Sequence, residues 1–478
     1  MMLTITVKKG LIAASLISLI ALSACSGGTQ SPAAEGDIPS EGAASGSAGK
    51  QVAVTLSVMT SDRFLQLAEQ KFEEQHPNID IQIKEYAAAP DATGKGGKNM
   101  MVTKNPDPQT VEKYVGSVGA ELMSGKASDI IVMNGLPYKK YADKNLLVNL
   151  GDLMSQDASF PLDNYYAGMF EAMEYNGALY TVPAKVELNM WLGDQAVLGN
   201  ESIDDSEWTW ADFKSLAQQW LTDANNDGQP DRYPLGNIEP AQLMTLMLNS
   251  SFAKFVDTAG KESRFDSPEF VDMLELAKSL YDEQIIFTES TDNTSVVIQP
   301  KAKMMGYLDM YMMPKMSYEG NAAYYDLPSE NEQRGLLFSS SMPLAINSKS
   351  EHTEEAWEFV KFLLSDEMQS ASELGGFAVN KTGAKAQLES LKHLGEGNGN
   401  GKKTMLNING KAANMEPATD EDIARIEQVL NKPMLYAESD PKITAIVSAE
   451  TAAFFQGQKS AEEAANVIQN KVSTYLLE

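Results

Sequence analysis

The chain has 478 residues, of which 43% are hydrophobic, and this is enough for two large domains with substantial cores. Its 38 basic and 66 acidic residues give a net charge of -28, which argues against a nucleic-acid partner because no basic stripe exists to replace phosphate counterions. The single cysteine and three scattered histidines argue against an intrachain disulfide, a zinc centre or a serine–histidine triad.

The N-terminus has the pattern of a secretory leader. Residues 1–24 combine Lys8 and Lys9 with an apolar run that is too short for a mature transmembrane helix. The four residues that end at Cys25 resemble a lipobox, which predicts a diacylglycerol anchor on Cys25; a plain secretion signal is the alternative. Residues 25–50 are rich in Gly, Ser and Ala, and we expect a flexible tether that anchors the protein to a membrane without spanning it.

The globular part begins with a predicted β-α-β unit. Apolar residues alternate from Val52 to Val58, recur at helical spacing after Asp62, and alternate again from Ile79 to Ile83. Because ligands bind beyond the carboxyl ends of parallel strands, the loop Thr60-Ser61-Asp62 is a candidate ligand contact. Asp62 as a helix cap is the alternative. Farther on, the continuous apolar run that begins at Asp129 predicts a strand buried on both faces.

The segment Asn176–Trp191 predicts a crossing between two lobes, because two extended pieces meet at Pro183. Its Asn-Gly-x-Leu-Tyr-x-x-Pro pattern resembles the extracellular solute-binding proteins of ABC importers, the maltose-binding-like cluster. The Trp-Thr-Trp-x-Asp-Phe run at 208–213, the strand 342–347 and the loop 375–381 resemble the same family in the same order.

The resemblance implies an α/β, two-lobed periplasmic-binding-protein-like (type II) fold, with parallel-rich sheets flanked by helices and a cleft between the lobes. The implied lobes are 51–185 plus 341–385 and 186–340 plus 386–478. Crossings are expected near Lys185, near Ser341 and after Asn380.

The resemblance also implies ligand contacts. Glu187 is at the position of a sugar-binding carboxylate, and an ion pair with Lys185 is the alternative. The segment 303–311 resembles a strand and loop with a ligand-stacking aromatic, but it is equally a packed core segment. The implied cleft residues are Asn134, Glu187, Trp191, Asp309, Tyr311, Gly376 and Phe377.

A calcium-like loop follows the Trp-Thr-Trp helix. The pattern D-x-N-x-D-G-x-x-D offers oxygen ligands, but the usual glutamate at its twelfth position is missing. The candidate ligands are Asp223, Asn225, Asp227, Gln229 and Asp231. A structural calcium is expected, and a plain Asn/Asp/Gly turn is the alternative.

The resemblance identifies a monomeric substrate-binding lipoprotein on the outer face of the cytoplasmic membrane, or on the periplasmic side if the cell has an outer membrane. It would capture a sugar or oligosaccharide and deliver it to ABC permease subunits, with no catalytic residue and no catalytic cofactor. A surface-anchored glycoside hydrolase and a calcium-dependent carbohydrate adhesion module are the alternatives.

Overall fold

The computed structural model describes residues 51–87, 108–199, 203–287, 295–300, 303–395, 405–408 and 411–477. The predicted leader, the predicted lipidation site Cys25 and the predicted tether 25–50 lie outside these residues. All described residues belong to one compact unit, Gly49–Glu478.

The described residues alternate between strands and helices. The strands are β1 Val52–Val58, β2 Ile79–Glu85, β3 Ile130–Val132, β4 Val182–Pro183, β5 Val186–Asn189, β6 Trp191–Asp194, β7 Arg232–Leu235, β8 Val256–Asp257, β9 Glu262–Ser263, β10 Ser295–Gln299, β11 Lys303–Met304, β12 Ala322–Tyr325, β13 Leu336–Ser340, β14 Pro343–Ile346, β15 Met405–Ile408, β16 Lys411–Asn414 and β17 Met434–Tyr436. The helices are α1 Arg63–Gln75, α2 Pro108–Ser124, α3 Tyr138–Asp143, α4 Leu150–Gln156, α5 Ala167–Glu171, α6 Gln195–Leu198, α7 Trp210–Trp220, α8 Pro240–Ser250, α9 Phe252–Phe255, α10 Pro268–Asp282, α11 Tyr307–Met316, α12 Thr353–Leu363, α13 Asp366–Gln369, α14 Lys381–Leu391, α15 Asp420–Leu430, α16 Pro441–Phe455 and α17 Ala461–Leu477.

The predicted β-α-β unit is confirmed at the start of the globular part. β1 and β2 pair in parallel, and α1 connects them. The Asp62 carboxylate caps α1 by accepting a hydrogen bond of 2.9 Å from the Leu65 backbone N–H. Buried side chains on one face of α1, including Ala68 and Phe72, pack in the core beside the sheet.

Three larger sheets form the framework, and all three are mixed rather than parallel-rich. The first has the order β2-β1-β3-β14-β4, the second β11-β5-β13-β17 and the third β12-β6-β10-β7. In the first sheet β1 is parallel to both β2 and β3, whereas β14 is antiparallel to β3 and β4. The carboxyl ends of β1 and β3 therefore lie at the same edge.

The predicted crossings between sheets are present near Lys185 and near Ser341. The chain leaves the first sheet at Pro183, which ends β4, and joins the second sheet at Val186. It returns between β13 and β14, where the Ser340 hydroxyl donates a hydrogen bond of 2.8 Å to the Lys185 carbonyl. The third crossing is expected after Asn380, but the chain contacts the first crossing a few residues before that point. There the Phe377 N–H donates a hydrogen bond of 2.8 Å to the Val186 carbonyl.

The two largest hydrophobic clusters meet at neighbouring residues. Met190 belongs to the first cluster and Trp191 to the second. The first cluster continues from the β1–β2 sheet through the crossings onto α11, α14 and α15. Because the packing has no gap at these crossings, the lobe boundaries inferred from the sequence remain a prediction.

Two later helices begin with reciprocal capping bonds. Thr209 caps α7 in a reciprocal capping box with Asp212, and Ser460 makes the corresponding bonds with Glu463 before α17. The tryptophans around Thr209 are core residues, as the sequence favours, with Trp208 and Trp210 almost fully buried.

Candidate functional site

An open cleft lies beside the crossing segments. One wall is the loop after β3, from Met133 to Lys139, and another is the β13–β14 turn with Ser339 and Ser340. The connection from β17 to α16 and two residues of the 252–258 region complete the lining. The predicted loop Asn134–Tyr138 therefore lies in the cleft wall, at the carboxyl end of a parallel strand where ligands commonly bind.

Asn134 ties the loop after β3 to the crossing. Its side-chain amide donates a hydrogen bond of 2.7 Å to the Ser341 carbonyl. Next in the wall, the Tyr138 hydroxyl donates to the Met173 carbonyl at 3.2 Å, and burial raises the pKa of Tyr138 well above its usual value. These bonds fix the backbone of the loop that faces the cleft.

The opposite wall carries a tyrosine and two acids. Burial, with a smaller contribution from the Glu438 carboxylate, raises the pKa of Tyr436 to about 12, so its hydroxyl remains a hydrogen-bond donor at neutral pH. Glu438 forms an ion pair with Lys139, whose ammonium lies 5.4 Å from the centre of the Tyr175 ring. Asp440 caps α16 by accepting N–H bonds from its first turn, and it also accepts the Tyr475 hydroxyl at 2.9 Å.

The loop Thr60-Ser61-Asp62 lies at the first crossing and is not part of the cleft lining. Asp62 is both the cap of α1 and the ion-pair partner of Lys185. The Ser61 N–H donates to the Glu85 carboxylate at 3.2 Å, while the buried Ser61 hydroxyl has no hydrogen-bond partner in the described part of the chain. Thr60 is partly exposed beside them.

Glu187 is a neighbour of the cleft lining but not part of it. It is 2% exposed and stands opposite Ser339 across the β5–β13 ladder, so their side chains share one face of the sheet. Its ion-pair partner is Lys303 and not Lys185, which corrects the pairing considered from the sequence. Ser339 lines the cleft, and its hydroxyl oxygen is buried without a hydrogen-bond partner among the described residues.

The expectation that Trp191 stacks on a ligand is wrong for this structure. Trp191 has no exposed surface, and its ring packs in the second cluster against Trp208, Trp210 and Phe213 at centroid distances of 5.8, 5.5 and 4.9 Å. The indole is therefore a core side chain with no face open to the cleft.

The aromatic segment 303–311 also requires correction. After the short strand β11 the chain forms α11 instead of a loop, and Tyr311 is 3% exposed with its hydroxyl donating to the Glu416 carbonyl at 2.8 Å. Asp309 accepts the Met305 N–H at 2.9 Å, and burial raises its pKa. The segment 303–311 is therefore packed in the core, which was the alternative interpretation of its sequence.

The loop at 376–377 has a structural role at the crossing. A Cβ atom at Gly376 would lie 3.1 Å from the Val186 carbonyl oxygen, so this close backbone approach favours glycine. Phe377 is fully buried, with its ring centroid 4.9 Å from that of Tyr307. Neither residue lines the cleft.

Several lining residues were not predicted from the sequence, namely Lys139, Ser339, Tyr436, Glu438 and Asp440. Asp440 carried a local signal, because Asp-Pro is typical of a helix cap followed by proline at the first helical position. The Lys139–Glu438 pair had none, since 299 residues separate its members.

The calcium-like loop closes on itself through hydrogen bonds. Asp223 accepts N–H bonds from Asp227 at 3.2 Å and Gly228 at 2.9 Å, and Asp231 accepts the Ala224 N–H at 2.8 Å. In the described ranges no three Asp, Glu, His or Cys side chains are grouped to hold a metal. Calcium binding by this loop stays a prediction.

None of the helices in the described ranges combines the length and apolar character needed to cross a bilayer.

Similar structures of known proteins share this architecture. They include an ABC substrate-binding protein from Listeria monocytogenes in complex with cycloalternan, with 15% identity, a TM-score of 0.55 and coverage of 89% of this chain and 99% of that one. The sugar-binding protein MalE from Xanthomonas citri matches with 14% identity and a TM-score of 0.58 over 89% and 98% of the two chains. A periplasmic oligogalacturonide-binding protein from Yersinia enterocolitica matches with 16% identity and a TM-score of 0.55 over 89% and 99%. These similarities confirm the two-lobed α/β fold.

The sequence also matches the family of bacterial extracellular solute-binding proteins over residues 60–370. This match covers more than half of the 478 residues, and it agrees with the crossing segments and cleft described above. The chain therefore belongs to the bacterial extracellular solute-binding protein family.

Proposed function

We propose that this protein binds a sugar or oligosaccharide in the cleft beside its crossing segments and delivers it to the permease subunits of an ABC importer. The family membership supports solute capture outside the cell, and the similar structures named above include sugar-binding proteins. The observation that carries the proposal is the cleft, whose polar lining side chains suit a ligand with many hydroxyl groups.

The cleft lining offers both hydrogen-bond donors and acceptors. Asn134 and Tyr436 provide polar groups on opposite walls, and Ser339 presents a buried hydroxyl oxygen that no described protein group engages. A sugar hydroxyl both donates and accepts, so it can satisfy such groups at the same time. A ligand that contacts both walls stabilises the closed arrangement of the lobes, which lets a permease distinguish loaded from empty protein.

We further propose that the ligand leaves the protein chemically unchanged. A glycosidase needs two carboxyl groups that flank a bond and are free to act as acid and base. The acids of this cleft have other partners: Glu438 is paired with Lys139, and Asp440 caps α16 and accepts the Tyr475 hydroxyl. Incubation of the protein with its ligand should therefore give no product.

The proposed location is the outer face of the cytoplasmic membrane. A diacylglycerol on Cys25 would hold the protein at this surface, and we propose that the protein is a monomer. Membership of an extracellular family supports a location outside the cytoplasm. Mass spectrometry of the membrane fraction tests it, since Cys25→Ala should remove the lipid and release the protein.

The ligand assignment is tested by a thermal-shift screen of mono- and oligosaccharides followed by calorimetry with Ser339→Ala. The folded protein loses no hydrogen bond through this change, whereas a bound sugar loses one, so we expect affinity to fall by about 3- to 10-fold. Thr181→Val is the matched control, because it removes another buried hydroxyl without a partner, away from the cleft. Equal affinities of the two variants, or no sugar that binds, would contradict the proposal.

A further inference from the structure

Lysines at the cleft and the crossings are bound to carboxylates. Lys139 is the one cation among the described residues that line the cleft, and it is paired with Glu438. At the crossings behind the cleft, Lys185 is paired with Asp62 and Lys303 with Glu187. An incoming anion therefore meets ammonium groups whose charge is already compensated.

The start of α16 is also occupied. A helix N-terminus attracts anions because its first N–H groups lack partners. Here the Asp440 carboxylate accepts the N–H groups of Lys442 and Ile443 at 2.8 and 3.2 Å. The described lining thus carries two carboxylates, Glu438 and Asp440, against one ammonium group.

We propose that the cleft accepts uncharged oligosaccharides and rejects those built from uronic acids, and that Glu438 sets this preference by holding Lys139. This inference rests on the function proposed above. A ligand carboxylate would face two fixed negative charges and would have to draw Lys139 away from its partner. Sugar hydroxyls need no such exchange, because a paired ammonium still has free N–H donors and a paired carboxylate still has free lone pairs.

The geometry allows one residue to decide the preference. Glu438 is the direct partner of Lys139, and both side chains are partly buried, with exposures of 27% and 15%. Ion pairs of limited exposure are less weakened by salt than fully exposed ones. Replacement of Glu438 by glutamine keeps its size but leaves Lys139 as an uncompensated cation in the cleft wall, where it can pair with a ligand carboxylate.

Calorimetry at pH 7 and constant ionic strength tests the inference. The probes are neutral trisaccharides (maltotriose, cellotriose and xylotriose), trigalacturonic acid, and the matched pair galactose and galacturonic acid. We expect the tightest neutral probe to bind wild-type protein at least about tenfold more tightly than the tightest acidic probe, and Glu438→Gln to reduce this ratio by about tenfold.

Two further variants act as controls. Glu450→Gln makes the same change of charge in an ion-pair cluster outside the cleft, with Lys459 and Lys471, and should leave the ratio unchanged. Lys139→Gln removes the lining cation and should preserve or widen the preference for neutral probes.

The possible failures are distinguishable. Acidic probes that bind wild-type protein as tightly as neutral ones overturn the inference and leave sugar binding intact. An unchanged ratio in Glu438→Gln overturns the role of that residue. If none of the probes binds, the proposed function fails together with the inference.

Discussion

Replacement of Trp191 tests directly whether this side chain belongs to the core or to the ligand site. Its indole has no exposed surface and packs edge-on against three other aromatic rings of the second cluster. The indole N–H has no hydrogen-bond partner among the described residues. Trp191 should therefore contribute to stability through ring packing alone.

The two informative variants differ in how much of this packing they remove. Trp191→Ala leaves a large cavity between the rings, and we expect it to lower the free energy of unfolding by about 3–5 kcal/mol. Trp191→Phe keeps an aromatic ring in place and loses no hydrogen bond, so we expect a loss of only about 1–2 kcal/mol. Sugar affinity of the folded Trp191→Phe protein should equal that of the wild type, because the ring lies outside the cleft lining.

Guanidinium unfolding followed by circular dichroism measures the stability changes, and calorimetry measures sugar binding. Met123→Ala is a suitable control: Met123 is 56% exposed, so its replacement should change the free energy of unfolding by less than about 0.5 kcal/mol. A Trp191→Ala protein that unfolds at the wild-type midpoint but binds sugar tenfold more weakly would refute the core assignment.

Three further predictions concern local features. Thr209→Ala removes the hydroxyl that accepts the Asp212 N–H at 3.1 Å, and should lower the free energy of unfolding by about 1 kcal/mol in the same denaturation assay; an unchanged midpoint contradicts this. The Lys361 ammonium holds the pKa of Asp157 well below its usual value, so this stabilisation is full above the unfolded pKa of about 3.9 and is lost as pH falls below it. Melting curves from pH 7 to acid should show a smaller loss of stability in Asp157→Asn than in wild type. Equal losses in the two proteins would contradict the stabilising role of the Asp157 carboxylate. Millimolar calcium should raise the melting temperature relative to chelator, and Asp227→Asn should abolish the increase; a wild type that does not respond would leave a plain turn.

The sequence was informative where neighbours in the chain decide the structure. Asp62 caps α1, the alternative considered for it, because a side-chain oxygen beside a helix start reaches N–H groups two or three residues away. Thr209 and Ser460 act at their helix starts through the same short-range geometry. The crossing at Pro183 was also predictable, since proline ends a ladder and the alternation of apolar residues resumes beyond it. Such interactions span a few residues and are visible in the order of the amino acids.

The sequence was misleading for individual cleft residues. Trp191 and Glu187 are close in the chain, and a strand period puts them on the same side. Trp191 is nevertheless enclosed by aromatic rings, whereas Glu187 is paired with Lys303 and lies opposite the cleft residue Ser339. Periodicity separates the two faces of a strand but cannot say which elements later cover each face. In the same way, the apolar pattern of 303–311 fits a strand as well as the observed helix α11.

What the sequence determined by itself was the family, the α/β character, the crossings and the caps, because these depend on local patterns and on motifs that remain contiguous. The composition of the cleft, in contrast, depends on how distant segments pack. Lys139 and Glu438 meet across 299 residues, and the charge that a ligand encounters depends on that meeting. Packing of distant elements sets which polar groups are paired and which remain available, and no local pattern records it.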